Sequence, residues 1–213
     1  MSRTRTKICG ITRVADAHAA ADAGADAIGL VFYRDSSRFV SIENAQSIVA
    51  ALPPLVTAVG LFVDPDAQQV EETLSVVPLG LLHFHGSEDA GFARQFGKPY
   101  LRAIRMQADI DVLATVNQHP QACGFLLDTF QAGKAGGTGH MFDWDRVPRD
   151  MPNLVLAGGL DVHNVASAIQ QCRPYAVDVS SAVESAPGIK DAEKIQQFIA
   201  ACKKADGSGA ETQ

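Results

Sequence analysis

The stretch KICGITRVADAHAAADAGADAIGLVF, residues 7–32, carries the pattern that decides the fold. A short strand-like run ends at Cys9, an alanine-rich helical pattern covers 14–23, and a second apolar run covers 27–32. Both runs are mostly continuous in apolar residues instead of alternating, which is typical of parallel strands buried on both faces. The stretch therefore predicts a strand, a helix and a second strand of one parallel sheet.

The same unit recurs along the chain. Strands are predicted at 6–9, 27–32, 56–63, 79–84, 100–104, 124–127, 154–157 and 176–179, and helices at 14–23, 42–52, 67–76, 89–96, 110–117, 162–172 and 192–203. After the sixth strand, the glycine-rich stretch TFQAGKAGGTGHMFDW, residues 129–144, leaves room only for a short helix near 144–147.

Eight such units in 213 residues predict an α/β protein built as a (β/α)8 TIM barrel, with a shortened helix after strand 6. We expect one domain at 1–205 and a small, polar, disordered tail at 206–213. An open, doubly wound sheet is the alternative. It is less favoured because no G-x-G-x-x-G motif follows the first strand.

Composition and charge exclude several classes of function. A net charge of -6 and a pI near 5.4 argue against nucleic-acid binding. No apolar run approaches the roughly 18 residues that span a membrane, and the start MSRTRTKICG does not resemble a signal peptide, so we expect a cytoplasmic protein. The four cysteines are scattered, which predicts neither a disulfide framework nor a zinc site. His83 and His85 have no further ligands nearby in the sequence, so no metal is expected.

The active site of a barrel lies at the carboxyl ends of its strands. Small residues follow the last two strands there, Gly158-Gly159 and Ser180-Ser181. Backbone N–H groups in such loops can approach a phosphate closely, so the two loops predict a phosphate site for a phosphorylated small molecule.

Two strand ends carry groups suited to proton transfer. Cys9 ends the first strand, where a thiolate can act as a base if positive charge or N–H groups stabilise it. Asp128 ends the sixth strand after four apolar or small residues, and burial favours the protonated form of a carboxyl, so it is a candidate general acid. Lys7, on the same face as Cys9, is either a buried structural charge or a Schiff-base lysine.

These motifs together resemble those of the phosphoribosylanthranilate isomerases of tryptophan biosynthesis, over nearly the full chain. The matching segments are KICGIT at 7–12, SSRFVS at 36–41, HG at 85–86, FLLD at 125–128, GGTGHMFDW at 136–144, LAGGLDVHNV at 156–165 and VDVSSAVESAPGIKD at 177–191. KICGIT, GGTG followed by FDW, and VDVSS followed by VE, PG and KD are the most specific of them.

The resemblance implies a (β/α)8 barrel and an Amadori rearrangement without cofactor, with Cys9 as general base and Asp128 as general acid. It also implies that Arg38 holds the anthranilate end of the substrate. We further expect His85 and Asp178, at matched strand ends, to bind substrate. Within the loop at 129–141, which we expect to close over the ligand, the glycine-rich lid residues are Gly136, Gly137, Thr138 and Gly139.

Two residues depart from the pattern of the family. His83 stands where the family usually has glutamine, and Ala182 stands where it usually has glycine. A methyl group at Ala182 would be strained if that position needed a positive φ. The alternatives left open are a Schiff-base aldolase or phosphosugar isomerase that uses Lys7, and a barrel that only binds phosphorylated metabolites or a partner. The oligomeric state and the acceptance of a second aminoaldose also stay open.

Overall fold

A computed structural model describes residues 3–129, 142–149 and 151–208. Its eight parallel strands follow one another around a closed barrel, in which β8 pairs with β1. This confirms the predicted TIM barrel and rejects the open, doubly wound sheet. The predicted lid residues Gly136, Gly137, Thr138 and Gly139 lie outside the described residues.

The barrel strands are β1 (Arg5–Cys9), β2 (Ala27–Val31), β3 (Thr57–Phe62), β4 (Leu81–Phe84), β5 (Tyr100–Met106), β6 (Gly124–Thr129), β7 (Leu154–Leu156) and β8 (Ala176–Val179). The helices are α1 (Val14–Ala23), α2 (Ile42–Ala50), α3 (Ala67–Val76), α4 (Ala90–Arg94), α5 (Val112–Gln118), α6 (Val165–Cys172) and α7 (Ala192–Ser208). A short antiparallel hairpin, β9 (Glu184–Ala186) and β10 (Ile189–Lys190), follows β8.

The segment between β6 and β7 contains the expected short element in its described part. It is a single 3₁₀ turn, Trp144–Arg146, which the Asp143 carboxylate caps by accepting a hydrogen bond from the backbone N–H of Asp145. Single turns of this kind are common connectors.

Two strands extend farther at their carboxyl ends than predicted. β5 continues to Met106 and β6 to Thr129, because Arg105 pairs with Asp128 and Met106 pairs with Thr129 in the register of the sheet. Polar side chains do not end a strand whose backbone is still paired. Asp128 is therefore held inside a strand, with a more restricted position than a loop residue would have.

The alternation of side chains along the strands separates two environments. Outward-facing residues pack against the helices; Phe84, for example, contacts the rings of Phe92, Phe96 and Tyr100. Inward-facing residues form a smaller apolar cluster in the barrel, with Leu101, Ala103, Leu126, Val155, Ala157 and Ala176. Toward the carboxyl ends, this inner face becomes polar.

The last helix joins the two ends of the described chain. The Asp206 carboxylate accepts hydrogen bonds from the backbone N–H of Thr4 at 2.8 Å and from its hydroxyl at 2.7 Å. The helix extends to Ser208, so residues 206–208 are helical, whereas we expected the disordered tail to begin at 206. None of the described helices is long and apolar enough to cross a membrane.

Candidate active site

One pocket opens at the carboxyl ends of the barrel strands, and it brings together every predicted site residue that the structure describes. Its lining includes Cys9, Arg38, His85, Asp128, Gly158, Gly159, Asp178, Ser180 and Ser181. These residues come from six different places in the chain, which only the closed barrel joins. The described residues contain no group of three or more His, Cys, Asp or Glu side chains that could hold a metal ion.

Asp128 and His85 face each other across the mouth of the barrel. His85 Nε2 lies 3.3 Å from Asp128 Oδ2, and both side chains are buried. The other carboxylate oxygen, Oδ1, accepts a hydrogen bond from the backbone N–H of Thr129 at 2.8 Å. Both oxygens of Asp128 thus have a defined neighbour, the His85 ring for Oδ2 and the backbone of Thr129 for Oδ1.

Cys9 is buried next to a charged pair. Lys7 Nζ donates a hydrogen bond to Asp178 Oδ1 at 2.9 Å, and the same ammonium group interacts with the Cys9 thiol. Burial raises the pKa of the Cys9 thiol, while Lys7 acts in the opposite direction. We expected nearby positive charge to draw the thiol toward thiolate; Lys7 has that effect, but burial outweighs it.

The environment of Lys7 bears on the Schiff-base alternative. Burial opposes the charge on Lys7, but the carboxylate of Asp178 and the sulfur of Cys9 favour it more strongly, so the pKa of Lys7 is raised. An imine-forming lysine must lose its proton to become a nucleophile. A lysine held as ammonium by a buried carboxylate is a poor candidate for that role.

Arg38 reaches the pocket from the loop after β2 and is held by the hairpin after β8. Its Nε and Nη2 donate to the two carboxylate oxygens of Glu184, each at 2.8 Å. Glu184 Oε1 also accepts from Lys190 Nζ at 2.8 Å, and Lys190 donates to the backbone carbonyl of Ser180 at 3.0 Å. No sequence pattern predicted this support, although Glu184 and Lys190 lie within the motif VDVSSAVESAPGIKD.

The two small-residue loops after β7 and β8 are adjacent at the pocket. Gly158 and Gly159 have φ values of 80° and 66°. A Cβ on Gly158 would lie 2.4 Å from the backbone nitrogen of Thr129 and 2.9 Å from Asp128 Oδ1, so the loop needs glycine there. The Ser180 hydroxyl donates to the carbonyl of Cys9 at 3.0 Å, which ties the second loop to β1.

The helices behind these loops differ from the prediction. α6 begins at Val165 instead of 162, because Asp161 accepts hydrogen bonds from the backbone of His163 and Asn164 and forms a turn. After β8 there is only a 3₁₀ turn, Ser181–Val183. The backbone N–H groups of the two loops are therefore the candidate ligands for a phosphate.

A second network of hydrogen bonds, which no sequence pattern predicted, holds the loop that follows β4. The buried Glu88 carboxylate accepts from Asp64 N at 2.8 Å, from Gly86 N at 2.9 Å and from Arg102 Nη1 at 2.7 Å. Arg105 donates to the backbone carbonyl of His85 at 3.0 Å. These contacts position the backbone of His85. No short motif signals them, because their partners are up to 24 residues apart.

The two residues that depart from the family pattern, Ala182 and His83, have different environments. Ala182 is exposed and is not among the residues with positive φ, so its methyl group causes no backbone strain. His83 lines the floor of the pocket, is fully buried, and has no hydrogen-bond partner for either ring nitrogen among the described residues.

Comparisons with known proteins find relatives along nearly the whole chain. The family model described as N-(5'phosphoribosyl)anthranilate (PRA) isomerase matches residues 6–201. A protein named N-(5'-phosphoribosyl)anthranilate isomerase from Nitrosospira multiformis is 52% identical over 196 residues, which cover 92% of this chain and 94% of the relative.

Solved structures are similar to this chain as well. Phosphoribosyl anthranilate isomerase from Thermotoga maritima superposes with a TM-score of 0.87 and 39% identity, covering 94% of this chain and 99% of that one. A phosphoribosyl anthranilate isomerase solved with reduced 1-(o-carboxyphenylamino)-1-deoxyribulose 5-phosphate has a TM-score of 0.81 and 38% identity, covering 94% and 99%.

Proposed function

Because the chain belongs to the N-(5'-phosphoribosyl)anthranilate isomerase family, we propose that Cys9 is its general base and Asp128 its general acid. The enzyme isomerises N-(5-phosphoribosyl)anthranilate to 1-(2-carboxyphenylamino)-1-deoxyribulose 5-phosphate in tryptophan biosynthesis. The family match over residues 6–201, together with a thiol and a carboxyl in the same pocket, carries this conclusion.

The reaction begins with the opening of the ribose ring. The nitrogen lone pair forms the Schiff base while the ring oxygen leaves C1, and that oxygen needs a proton. Asp128 donates it in this proposal. Support comes from the fixed position of this carboxylate. Its Oδ1 accepts a hydrogen bond from the backbone N–H of Thr129, and its Oδ2 is next to His85.

The second step removes a proton from C2, which the Schiff base acidifies. The Cys9 thiolate takes this proton and becomes a thiol, and the enolamine then tautomerises to the ketone. After one turnover Asp128 has lost a proton and Cys9 has gained one. The two groups must therefore exchange a proton, directly or through solvent, before the next cycle.

The ends of the substrate differ in charge and shape, and the pocket offers a partner for each. We assign the phosphate to the loops of Gly158-Gly159 and Ser180-Ser181, because small residues there leave the backbone accessible. We assign the anthranilate carboxylate to Arg38, because a planar guanidinium suits a carboxylate. His85 and Asp178 line the space between them.

The location of the protein and the class of its ligand are the remaining parts of the proposal. We propose the cytoplasm, in keeping with four free cysteines, none of which is paired in a disulfide. The ligand is a small phosphorylated molecule, as in the related structure with the reduced deoxyribulose phosphate.

The test is loss of the fluorescence of phosphoribosylanthranilate with purified protein. Cys9→Ser and Asp128→Asn should each lower kcat by about 10²- to 10⁴-fold, the usual scale for one acid–base group. The affinity for the reduced product analogue should persist in both variants, since the phosphate loops and Arg38 are unchanged. A variant with near-normal kcat would reject the role of that residue. Borohydride treatment with substrate should not link the substrate to Lys7.

A further inference from the structure

We propose that Lys7 is a positioning residue that stabilises the thiolate of Cys9, and that Asp178 limits this effect by binding the same ammonium group. The inference rests on the proposed role of Cys9 as the base. It adds two residues to that role, and it explains how a buried thiol can release its proton.

The geometry of three neighbouring residues carries the proposal. Lys7 and Cys9 are two positions apart on β1, so their side chains leave the strand on the same face. Gly29 of β2 is paired with Cys9 in the register of the sheet. A Cβ built on Gly29 would lie 2.7 Å from Cys9 Sγ and 3.1 Å from Lys7 Nζ. The sulfur and the ammonium nitrogen therefore occupy together the space that a side chain at Gly29 would fill.

Burial strengthens the electrostatic interaction between the Lys7 ammonium group and the Cys9 sulfur. The side chain of Lys7 is only 5% exposed, and Cys9 is 6% exposed. Water screens the interaction between such groups weakly, so an ammonium group favours an adjacent anion more strongly than it would at the surface. Burial alone raises the thiol pKa, and the interaction with Lys7 lowers it.

The other charges that face the thiol come from two strands. Asp178 of β8 disfavours the thiolate by its negative charge, and Lys190 of β10 favours it. On β2, the adjacent residue Gly29 has no charge. Asp178 also binds Lys7 directly at 2.9 Å, so it opposes the thiolate twice: by repulsion, and by competition for the ammonium group.

Cys9 exchanges a proton with water and with the substrate, but not with Lys7. The Cys9 thiol releases its proton to water, and the Lys7 ammonium keeps its own protons throughout. The sulfur carries the negative charge until it takes the C2 proton from the substrate. Lys7 forms no bond to the substrate and acts only through Cys9.

The experiment measures the titration of the Cys9 thiol itself by ¹³C NMR of protein labelled at cysteine Cβ. The Cys9 signal is identified by its loss in Cys9→Ser. Lys7→Gln should raise the thiol pKa by about 1 to 3 pH units, the effect expected from removal of an adjacent opposite charge. Asp178→Asn should lower it by about one pH unit or more. Lys98→Gln, which changes an exposed lysine, is the matched control and should leave it unchanged.

A third variant separates position from charge. Gly29→Ala removes no charge, but its methyl group must displace the sulfur from the ammonium group, so the thiol pKa should rise. If Lys7→Gln does not fold, Gly29→Ala and Asp178→Asn still test whether Lys7 and Asp178 control the thiol pKa. An unchanged or lower thiol pKa in Lys7→Gln or Gly29→Ala, or a higher one in Asp178→Asn, would overturn the proposal.

Kinetics distinguish this inference from the proposed function. Lys7→Gln should lower kcat/KM by about tenfold or more, because each pH unit added to the thiol pKa reduces the thiolate population about tenfold. If Cys9→Ser retained normal kcat, the base would be misassigned, yet the NMR titrations would still report whether Lys7 and Asp178 control the thiol.

Discussion

Arg38 and Glu184 form a two-point ion pair at the mouth of the barrel, in which Nε donates to Oε1 and Nη2 donates to Oε2, each at 2.8 Å. The side chain of Glu184 is 6% exposed, and Lys190 donates to the same Oε1. The plane of the guanidinium is therefore set before any substrate arrives. The Nη1 end, which Glu184 does not engage, is the part available to a ligand carboxylate.

Arg38→Lys should weaken substrate binding more than it alters chemistry. An ammonium group cannot make the two-point contact with Glu184, so it would not present a fixed donor to the anthranilate carboxylate. We expect kcat/KM to fall by about 10- to 100-fold, the scale of one charge-assisted hydrogen bond, mainly through KM. Steady-state kinetics would check this, with the exposed Arg34→Lys as control. Unchanged KM would argue that Arg38 serves only Glu184.

Gly158→Ala should impair the acid as well as the phosphate loop. The added methyl group would meet the backbone nitrogen of Thr129 and Asp128 Oδ1, at a φ of 80° that already disfavours alanine. Gly97→Ala is the matched control, because its φ is 62° but no atom lies within 4 Å of the added Cβ. We expect kcat to fall in the first variant only, while both lose stability in urea unfolding. Equal kcat values would contradict the close contact with Asp128.

Sequence patterns predicted the barrel and the residues that line the pocket, but they did not predict the contacts that hold those residues in place. Strand patterns and strand-end motifs are local, so Cys9 and Asp128 were found from their own neighbours. The partners of Arg38 and of the loop after β4 are Glu184 and Glu88, and these contacts join positions that are distant in sequence. The direction of the net pKa shift of Cys9 was also missed, since it depends on burial, which only the folded chain establishes.

Glu88→Ala should destabilise the fold and displace His85. The Glu88 carboxylate is buried and joins Arg102 to the backbone of Asp64 and Gly86. Removing it leaves the Arg102 guanidinium without its carboxylate, a change that costs about 3–5 kcal/mol in other buried pairs. Urea unfolding measures the loss, and Glu71→Ala, at an exposed position, should change stability little. A loss within the error of the control would show that the network is dispensable.

The alkaline limb of kcat/KM should reflect the raised pKa of Cys9. The productive state pairs a protonated Asp128 with a Cys9 thiolate, so the pair holds one proton between them. A second proton stops turnover at low pH, and loss of the last proton stops it at high pH. Burial raises the thiol pKa above its usual 9.0. We therefore expect kcat/KM to persist up to pH ~9 and to decline only at higher pH. A decline centred near neutrality would contradict this.

His83 makes stability depend on pH at the floor of the pocket. The side chain is fully buried, and burial, followed by the charges of Lys7, His85 and Arg102, holds its pKa well below 6.5. The folded protein therefore keeps His83 neutral under conditions where the unfolded chain takes up a proton. Since the unfolded state then binds more protons, the free energy of unfolding must decrease as the pH falls below about 6.5.

Replacing His83 should remove this dependence. His83→Gln and His83→Leu cannot bind that proton, so the free energy of unfolding should decrease less from pH ~7 to pH ~5 than in the unmodified protein. The difference should approach 1.4 kcal/mol for each pH unit below about 6.5, or about 2 kcal/mol at pH ~5. Urea unfolding at both pH values measures it, and other titrating groups cancel in the comparison. His163→Gln, at an exposed position, serves as control, and equal pH dependence in all four proteins would mean that His83 takes up its proton in the folded state.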